Sequence, residues 1–224
     1  AVTFDPVNAA PALPAGSITE SVVTNLTGPT TIAFAPDGRM FIGQKDGIVR
    51  VFQNGVLLPT NFIDLSAEVN TYWDRGLLGI AVHPDFPATP YVYLLYTYHP
   101  PGVTADGTGA RVSRLLRVTA NPDTNVAVPG SEVILLGANS IFENIGDPNS
   151  NAGAASCESG SAYVQDCIAA DSPSHTIGTV TFGTDNSLFV SSGDGSHFTF
   201  TDVRSLRAIN VDSLNGKILR IDPI

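Results

Sequence analysis

A strand–turn–strand unit recurs three times along the chain, and it confines the fold to all-β architectures. The first copy is Ile32-Ala-Phe-Ala-Pro-Asp37-Gly38-Arg-Met-Phe-Ile-Gly43. The second is Ile80-Ala-Val-His-Pro-Asp85-Phe followed, after a longer turn, by Tyr91-Val-Tyr-Leu-Leu-Tyr-Thr97. The third is Val180-Thr-Phe-Gly-Thr-Asp185-Asn-Ser-Leu-Phe-Val-Ser191. The turn carboxylates Asp37, Asp85 and Asp185 stand 48 and then 100 residues apart, the second step being about two periods or one period plus an insertion. Further strand-like segments follow each hairpin: Ile48 to Gln53, then Arg111 to Val118 and Glu132 to Leu136, then Lys217 to Asp222. Units of about four strands are what β-propeller blades look like, and propellers close with about 4 to 8 blades. Three units do not close a ring, and the third stops at Ile224 before an outer strand. The expectation is a β-propeller of four-stranded antiparallel blades, about three of them present. A self-contained β-sandwich of irregular strands is the alternative.

The domain reading is an extended Ala/Pro-rich arm over residues 1–20 and a partial propeller over 21–224. An Asn/Ser/Ala/Gly-rich insertion at about 137–174 breaks the rhythm, and loops that long are functional or disordered. Helical periodicity is weak, with one short helical turn expected over Asp202 to Asn210. A net charge of -10 with only two lysines, Lys45 and Lys217, argues against nucleic acid or an anionic membrane as partner. No apolar run approaches the ~18 residues of a spanning helix. Cys157 and Cys167 lie inside the insertion, where a local disulfide is the first reading and free surface thiols the second. A disulfide implies an oxidising compartment, so a secreted or periplasmic location is expected. No third or fourth soft ligand is near enough to make the cysteines a metal site. The start at Ala1, without a charged leader, suits a mature form after signal removal or an engineered piece.

His175 and Asp194 bracket the third hairpin. Strands are expected at Thr179 to Phe182 and Ser187 to Ser191, joined by the turn residues Gly-Thr-Asp-Asn. A hairpin returns its two flanks to one end, which brings the imidazole and the carboxylate together. A carboxylate that accepts from one ring nitrogen fixes the tautomer and leaves the other nitrogen as a base. Proton abstraction is the chemistry to expect, with strand and turn capping as the plainer alternative.

Three segments resemble one known family. Asp74-Arg-Gly-Leu-Leu-Gly-Ile-Ala-Val-His-Pro-Asp-Phe86, His175-Thr-Ile-Gly178 with Gly193-Asp194, and Leu214-Asn-Gly-Lys-Ile-Leu-Arg-Ile-Asp222 occur in order. Each is similar to a signature of the soluble sugar dehydrogenases that depend on pyrroloquinoline quinone (PQQ), the glucose/sorbosone dehydrogenase family. The resemblance covers roughly residues 20 to 224. It implies a six-bladed propeller with PQQ on its axis and oxidation of an aldose at the anomeric carbon. It also implies His175 as general base, Asp194 as its partner, and Asp74 against the quinone. The family often has Gln or Glu where Asp74 stands. A negative Asp74 beside an anionic cofactor needs a cation, and the adjacent Arg75 is the expected source. Trp73 with Tyr72, and His197 past Gly195, are the candidates for sugar contact, with packing as the alternative. His83 and His99 read as structural. The calcium and basic residues that hold PQQ in the family belong to later blades. The chain is therefore expected to carry half a site, completed by more of the chain or by a second polypeptide.

Three further readings stand beside this one. The same fold serves as a non-catalytic binding module. A calcium-dependent lactonase ranks lower, because too few acidic or amide side chains fall at inner-strand positions. Asp147-Pro-Asn149-Ser-Asn151-Ala-Gly153, with Glu158 in the twelfth place, spaces oxygens as calcium loops do, but its Gly is one place late. A polar turn pinned by the disulfide is the stronger reading there. Asn25-Leu-Thr27 fits a glycosylation sequon.

Overall fold

The computed structural model describes residues 14, 16–17, 20–103, 109–149 and 155–224. Most of the expected arm over 1–20 lies outside the described residues. Three antiparallel sheets follow one another along the chain. The first contains β1 (Pro29–Phe34), β2 (Met40–Gln44), β3 (Ile48–Gln53) and β4 (Val56–Leu57), with β5 (Ile63–Asp64) also on β3. The second runs from β6 (Leu77–Val82) through β7 (Tyr91–Tyr98) to β8 (Arg111–Asn121), which also carries β9 (Val126–Ala127) and β10 (Val133–Leu136). Within the insertion, β11 (Glu158–Ser159) and β12 (Ala162–Tyr163) form a small hairpin, and β13 (Ile168–Ala170) returns to pair with the start of β8. The third sheet is β14 (Ile177–Phe182), β15 (Leu188–Ser192) and β16 (Lys217–Ile221). The fold is an all-β, antiparallel propeller arc of three successive blades.

The turn carboxylates act as the sequence suggests. Asp37 accepts from the Arg39 N–H, with Gly38 in the left-handed region where glycine is unstrained. Asp185 accepts from both the N–H and the hydroxyl of Ser187. In the second turn the roles differ, because His83 Nδ1 accepts from the Asp85 N–H. His83 is buried there, in keeping with a structural role.

Blade order follows from β7. Its even-numbered residues Val92, Leu94, Tyr96 and Tyr98 join Phe41, Val49, Val51 and Leu77 in a core between the first and second sheets. Its odd-numbered Tyr93 and Leu95 join Leu115, Val180, Leu188 and Val190 between the second and third. Successive strand side chains point to opposite faces, so a strand that is apolar or aromatic at every position but Thr97 must be covered on both. Each such side chain contributes about 1.5–3 kcal/mol by leaving water. The inner strands β1, β6 and β14 accordingly pack in that order, with β6 in the middle. The two outward faces of the arc are different. Phe34 on β1 is 71% exposed and Ile218 on β16 is 77% exposed. Beside β1 lies an apolar hollow of about 680 Å³ lined by Val22, Leu26, Ile32, Phe34, Met40 and Ile42, among others.

The insertion is held from inside. Cys157 and Cys167 form a disulfide, and both are buried against the first core. The short helical turn is a 3-10 helix at Val203–Ile209, capped by the Asp202 carboxylate on the Arg204 N–H. Burial pushes the Asp202 carboxyl up, but the Arg204 guanidinium and the N–H groups of His197 and Arg204 outweigh it and hold the group at about 2. A depressed carboxyl stabilises the fold above its unfolded value, 3.8, and that contribution fades as pH falls toward about 2. Asp202→Asn is expected to lower the melting temperature at pH 5. The gap to the wild type should close as the pH of the melts is taken from 4 to 2; a gap independent of pH would mean that charge is not the cause.

Candidate active site

Three loops converge at one end of the arc: residues 72–76 before β6, 172–176 before β14, and 193–197 after β15. The β14–β15 register pairs Ile177 with Ser192, so the flanks of this hairpin return together. His175 Nδ1 lies 3.2 Å from Asp194 Oδ1 and 3.2 Å from Ser196 Oγ. The loops are pinned through their backbones: the Gly195 N–H donates to the His175 carbonyl at 2.8 Å, and the Ser172 N–H to the Gly195 carbonyl at 3.1 Å. Gly193 is required by close approach, because a Cβ there would overlap the carbonyls of His175 and Thr176. His175 itself sits at φ 52°, a conformation uncommon for a non-glycine residue. Residues held in such sparsely populated backbone states cluster at functional sites.

The Asp194 carboxyl is pushed up by burial, but the Ser196 N–H, the Ser196 hydroxyl and His175 outweigh that and hold it below its ordinary value. An ionised Asp194 can only accept, so the ring proton sits on Nδ1 and Nε2 is left as the basic nitrogen. The His175 side chain is 45% exposed. It lines an open cleft of about 490 Å³ with Asp74, Leu78, Thr176, Gly178 and Ser191, among others. Asp74 is tied to the same loop: its N–H donates to the Pro173 carbonyl, and its own carbonyl accepts from the Thr176 hydroxyl.

Arg75 departs from the expectation. The sequence assigns it to the cofactor; the structure buries it completely, away from the cleft lining. One guanidinium nitrogen donates to the Ala170 carbonyl at 2.8 Å and to the Asp171 carbonyl at 3.4 Å, and another to Asn70 Oδ1 at 3.4 Å. Burial, then the neighbouring Arg111, lowers its pKa to about 9. Arg75 therefore braces the segment leading to His175. Lys45 is a cation near this loop, its ammonium donating to the carbonyl of Trp73, next to Asp74. Trp73 stands at φ 52° with its ring half exposed. His197 turns Nδ1 toward the Thr199 hydroxyl at 2.8 Å, and its ring stacks on Phe198 and Phe200.

Sequence reasoning missed Ser196 and Asn215. The Ser196 signal was its place two residues after Asp194, the spacing of an Asx turn, and Asp194 Oδ1 does accept from its N–H at 2.8 Å. Asn215 lies in the third signature; its buried amide donates to the carbonyls of Ala169 and Gly193 and accepts from the Ala169 N–H. It clamps β13 to the turn that carries Asp194. Among the described residues no three His, Cys, Asp or Glu side chains gather as a metal site. Of the oxygen-rich loop, residues 150–154 lie outside the described residues, and Glu158 is paired with Arg207 at 2.8 Å.

The sequence profile of the Glucose / Sorbosone dehydrogenase family matches residues 26–154. Quinoprotein glucose dehydrogenase B of Acinetobacter calcoaceticus is 29% identical over 85 residues, 37% of this chain and 18% of that protein. A Thermus thermophilus structure, provisionally named an oxidoreductase (glucose dehydrogenase), superposes with a TM-score of 0.60 at 26% identity, over 91% of this chain and 46% of its own. The PQQ-bound aldose sugar dehydrogenase of Streptomyces coelicolor shares the fold with a TM-score of 0.59 at 19% identity, over 92% of this chain and 48% of its own. The chain thus spans under half the length of these solved structures and about a fifth of the curated relatives. With the profile matched over more than half of its residues, and with a β-propeller arc like theirs, the chain belongs to the glucose/sorbosone dehydrogenase family.

Proposed function

We propose that this chain supplies the proton-handling side of a PQQ-dependent sugar dehydrogenase that oxidises an aldose at its anomeric carbon. The observation that carries the reading is the His175–Asp194–Ser196 cluster, with a basic Nε2 left at the edge of the Asp74 cleft. The cleft suits one side of a planar polyanion. Gly178 and Gly193 leave its lining low, and Lys45 provides a cation beside Trp73. Asp74 and Asp194 work against a polyanion, so further counter-charge must come from outside these residues, in the form of basic side chains and calcium. The chemistry PQQ supplies when bound is hydride acceptance from the anomeric carbon.

The chain's own residues do the rest. His175 Nε2 takes the proton of the anomeric hydroxyl as that carbon loses hydride, so the sugar gives up one proton and one hydride and becomes a lactone. Asp194 stabilises the imidazolium that forms and keeps the ring turned toward the cleft. Asp74, in the lining of the cleft, is the side chain that would meet the quinone. The exposed apolar faces at Phe34 and Ile218 suit further blades on both sides, from more of the same chain or from a second polypeptide. The disulfide suits a secreted or periplasmic location.

The whole protein, given PQQ and calcium, is expected to reduce a redox dye in proportion to added aldose, and only when PQQ is present. Sugar binding without any PQQ-dependent dye reduction would replace this reading with a non-catalytic binding propeller.

A further inference from the structure

His175 hangs from a very short strand. It follows β13, which is only Ile168–Ala170 and pairs with Arg111 to Ser113 of β8. The β13 side chains alternate between the cores: Ile168 enters the one between the second and third sheets, Ala169 the one between the first and second. Two alanines in three residues specify register weakly, because a shifted alanine fills or vacates little space on either face. A slip of one residue along β8 would carry the segment that follows by about 3.3 Å. Misplacing a reacting group by about 1 Å costs about 10²-fold in rate. The register of β13 is therefore a catalytic matter.

Both ends of β13 are tied to one dipeptide. Cys167, just before the strand, is joined to Cys157 by the disulfide. Asp171, just after it, accepts from the Ser156 N–H at 2.9 Å through a fully buried carboxylate. Asn215 holds only the middle residue, Ala169. Cys157 stands at φ 62°, a backbone state that a non-glycine residue keeps only where its surroundings impose it. Its N–H donates to the Asn144 carbonyl and its carbonyl accepts from the Val164 N–H, each at 2.8 Å. Both cysteines are buried in a core that further blades can only cover more deeply. Beyond Asp171 the Ser172 N–H donates to the Gly195 carbonyl, and the Gly195 N–H to that of His175. We propose that the Cys157–Cys167 disulfide fixes the register of β13 and thereby sets His175 against Asp194. The two cysteines are positioning residues, and the base is competent only in the oxidised protein. This rests on the reading of His175 as the general base. Closing the bond takes two electrons and two protons from the thiols and passes them by exchange to an oxidant of the disulfide class. Dithiothreitol runs the step backwards, its two thiols becoming a cyclic disulfide as both cysteines regain hydrogen.

The whole protein is compared as wild type and as the double variant Cys157→Ala with Cys167→Ala. If the variant does not fold, its place is taken by wild-type protein reduced with dithiothreitol until both thiols titrate, then freed of reductant under nitrogen. The kcat for sugar-dependent dye reduction is expected to fall about tenfold, with KM within about twofold of the wild type. Amide exchange at Ser172, Gly195 and Asp74, which needs no turnover, should quicken about tenfold while that of Leu94 and Leu95 in β7 stays as it was. Oxidised glutathione should restore both readouts in the reduced wild type. A kcat and a loop exchange like those of the oxidised wild type, with or without a lower melting temperature, would make the disulfide a staple of the insertion and overturn the proposal. Exchange that quickens evenly over β7 and the loops overturns it too, since the bond then acts on the whole fold. Local loosening in a protein whose wild type reduces no dye keeps the positioning role and removes the dehydrogenase; full dye reduction by the variant does the reverse.

Discussion

His175→Ala is expected to remove sugar-dependent dye reduction from the whole protein, lowering kcat by about 10²–10⁴-fold, the usual worth of a positioned general base. The fold should survive. The ring is nearly half exposed, and the partners it leaves behind stay satisfied, because Asp194 still accepts from the Ser196 N–H. Thermal melts of the variant should overlay those of the wild type, which separates lost chemistry from lost structure. Asp194→Asn is the companion. It keeps the size of the side chain but can present its amide to Nδ1, which favours the wrong tautomer and moves the ring proton to Nε2, where the base is needed. Its rate should fall at every pH, whereas a wild-type Asp194, held below its ordinary pKa, stays ionised through the neutral range. A His175→Ala protein that turns over sugar at the wild-type rate would take His175 out of the reaction altogether.

The parts of the molecule that the sequence displays are those governed by local periodicity. The turn residues Asp37 and Asp185 announce their hairpins, and the apolar run Tyr91 to Tyr96 of β7 announces a blade covered on both faces. The pairing of His175 with Asp194 is legible for the same reason, since the hairpin between them fixes where its flanks return. What is not legible depends on contacts distant in sequence. Ile168-Ala-Ala carries no strand pattern; it becomes β13 because the long β8 offers it an edge at Arg111 to Ser113 and Asn215 clamps Ala169 from the other side. Arg75 misleads through adjacency. Residues 72–75 form a tight turn, closed by the Arg75 N–H on the Tyr72 carbonyl with Trp73 at positive φ, and this turn puts Asp74 in the cleft lining while burying Arg75 against the carbonyls of Ala170 and Asp171. The rings of Tyr72, Trp73, His197, Phe198 and Phe200 meet from loops more than a hundred residues apart, and only Tyr72, Trp73 and His197 are suggested by proximity to the signatures.

The largest stability effect is expected at Arg207, which no signature singles out. Its side chain is buried in the 3-10 helix and bridges two carboxylates, 2.7 Å from Asp171 Oδ2 and 2.8 Å from Glu158 Oε1. Burial alone lowers the pKa of a guanidinium, yet Asp171 and Glu158 more than offset it and raise the group above its ordinary value. Asp171 is fully buried, and its other oxygen accepts from the Ser156 N–H, so one carboxylate joins the disulfide loop, the 3-10 helix and the segment that runs on to His175. Arg207→Ala strands that carboxylate. Removing one partner of a buried pair costs about 3–5 kcal/mol, because the remaining charge keeps its desolvation penalty. For a chain of this size that is a fall in melting temperature of about 6–20 °C. Added salt should restore little of it, since buried pairs are poorly screened. The double variant Arg207→Met with Asp171→Asn removes both charges at similar volume and is expected to melt closer to the wild type than Arg207→Ala does. The buried partner left without its counter-charge, more than the lost attraction, is then what unfolds the single variant. A single variant that melts within about 2 °C of the wild type, under 1 kcal/mol at this chain length, would mean that Arg204, 4.0 Å from Asp171 Oδ2, already neutralises the site and that the His175 segment is braced by Arg75 and Asn215 instead.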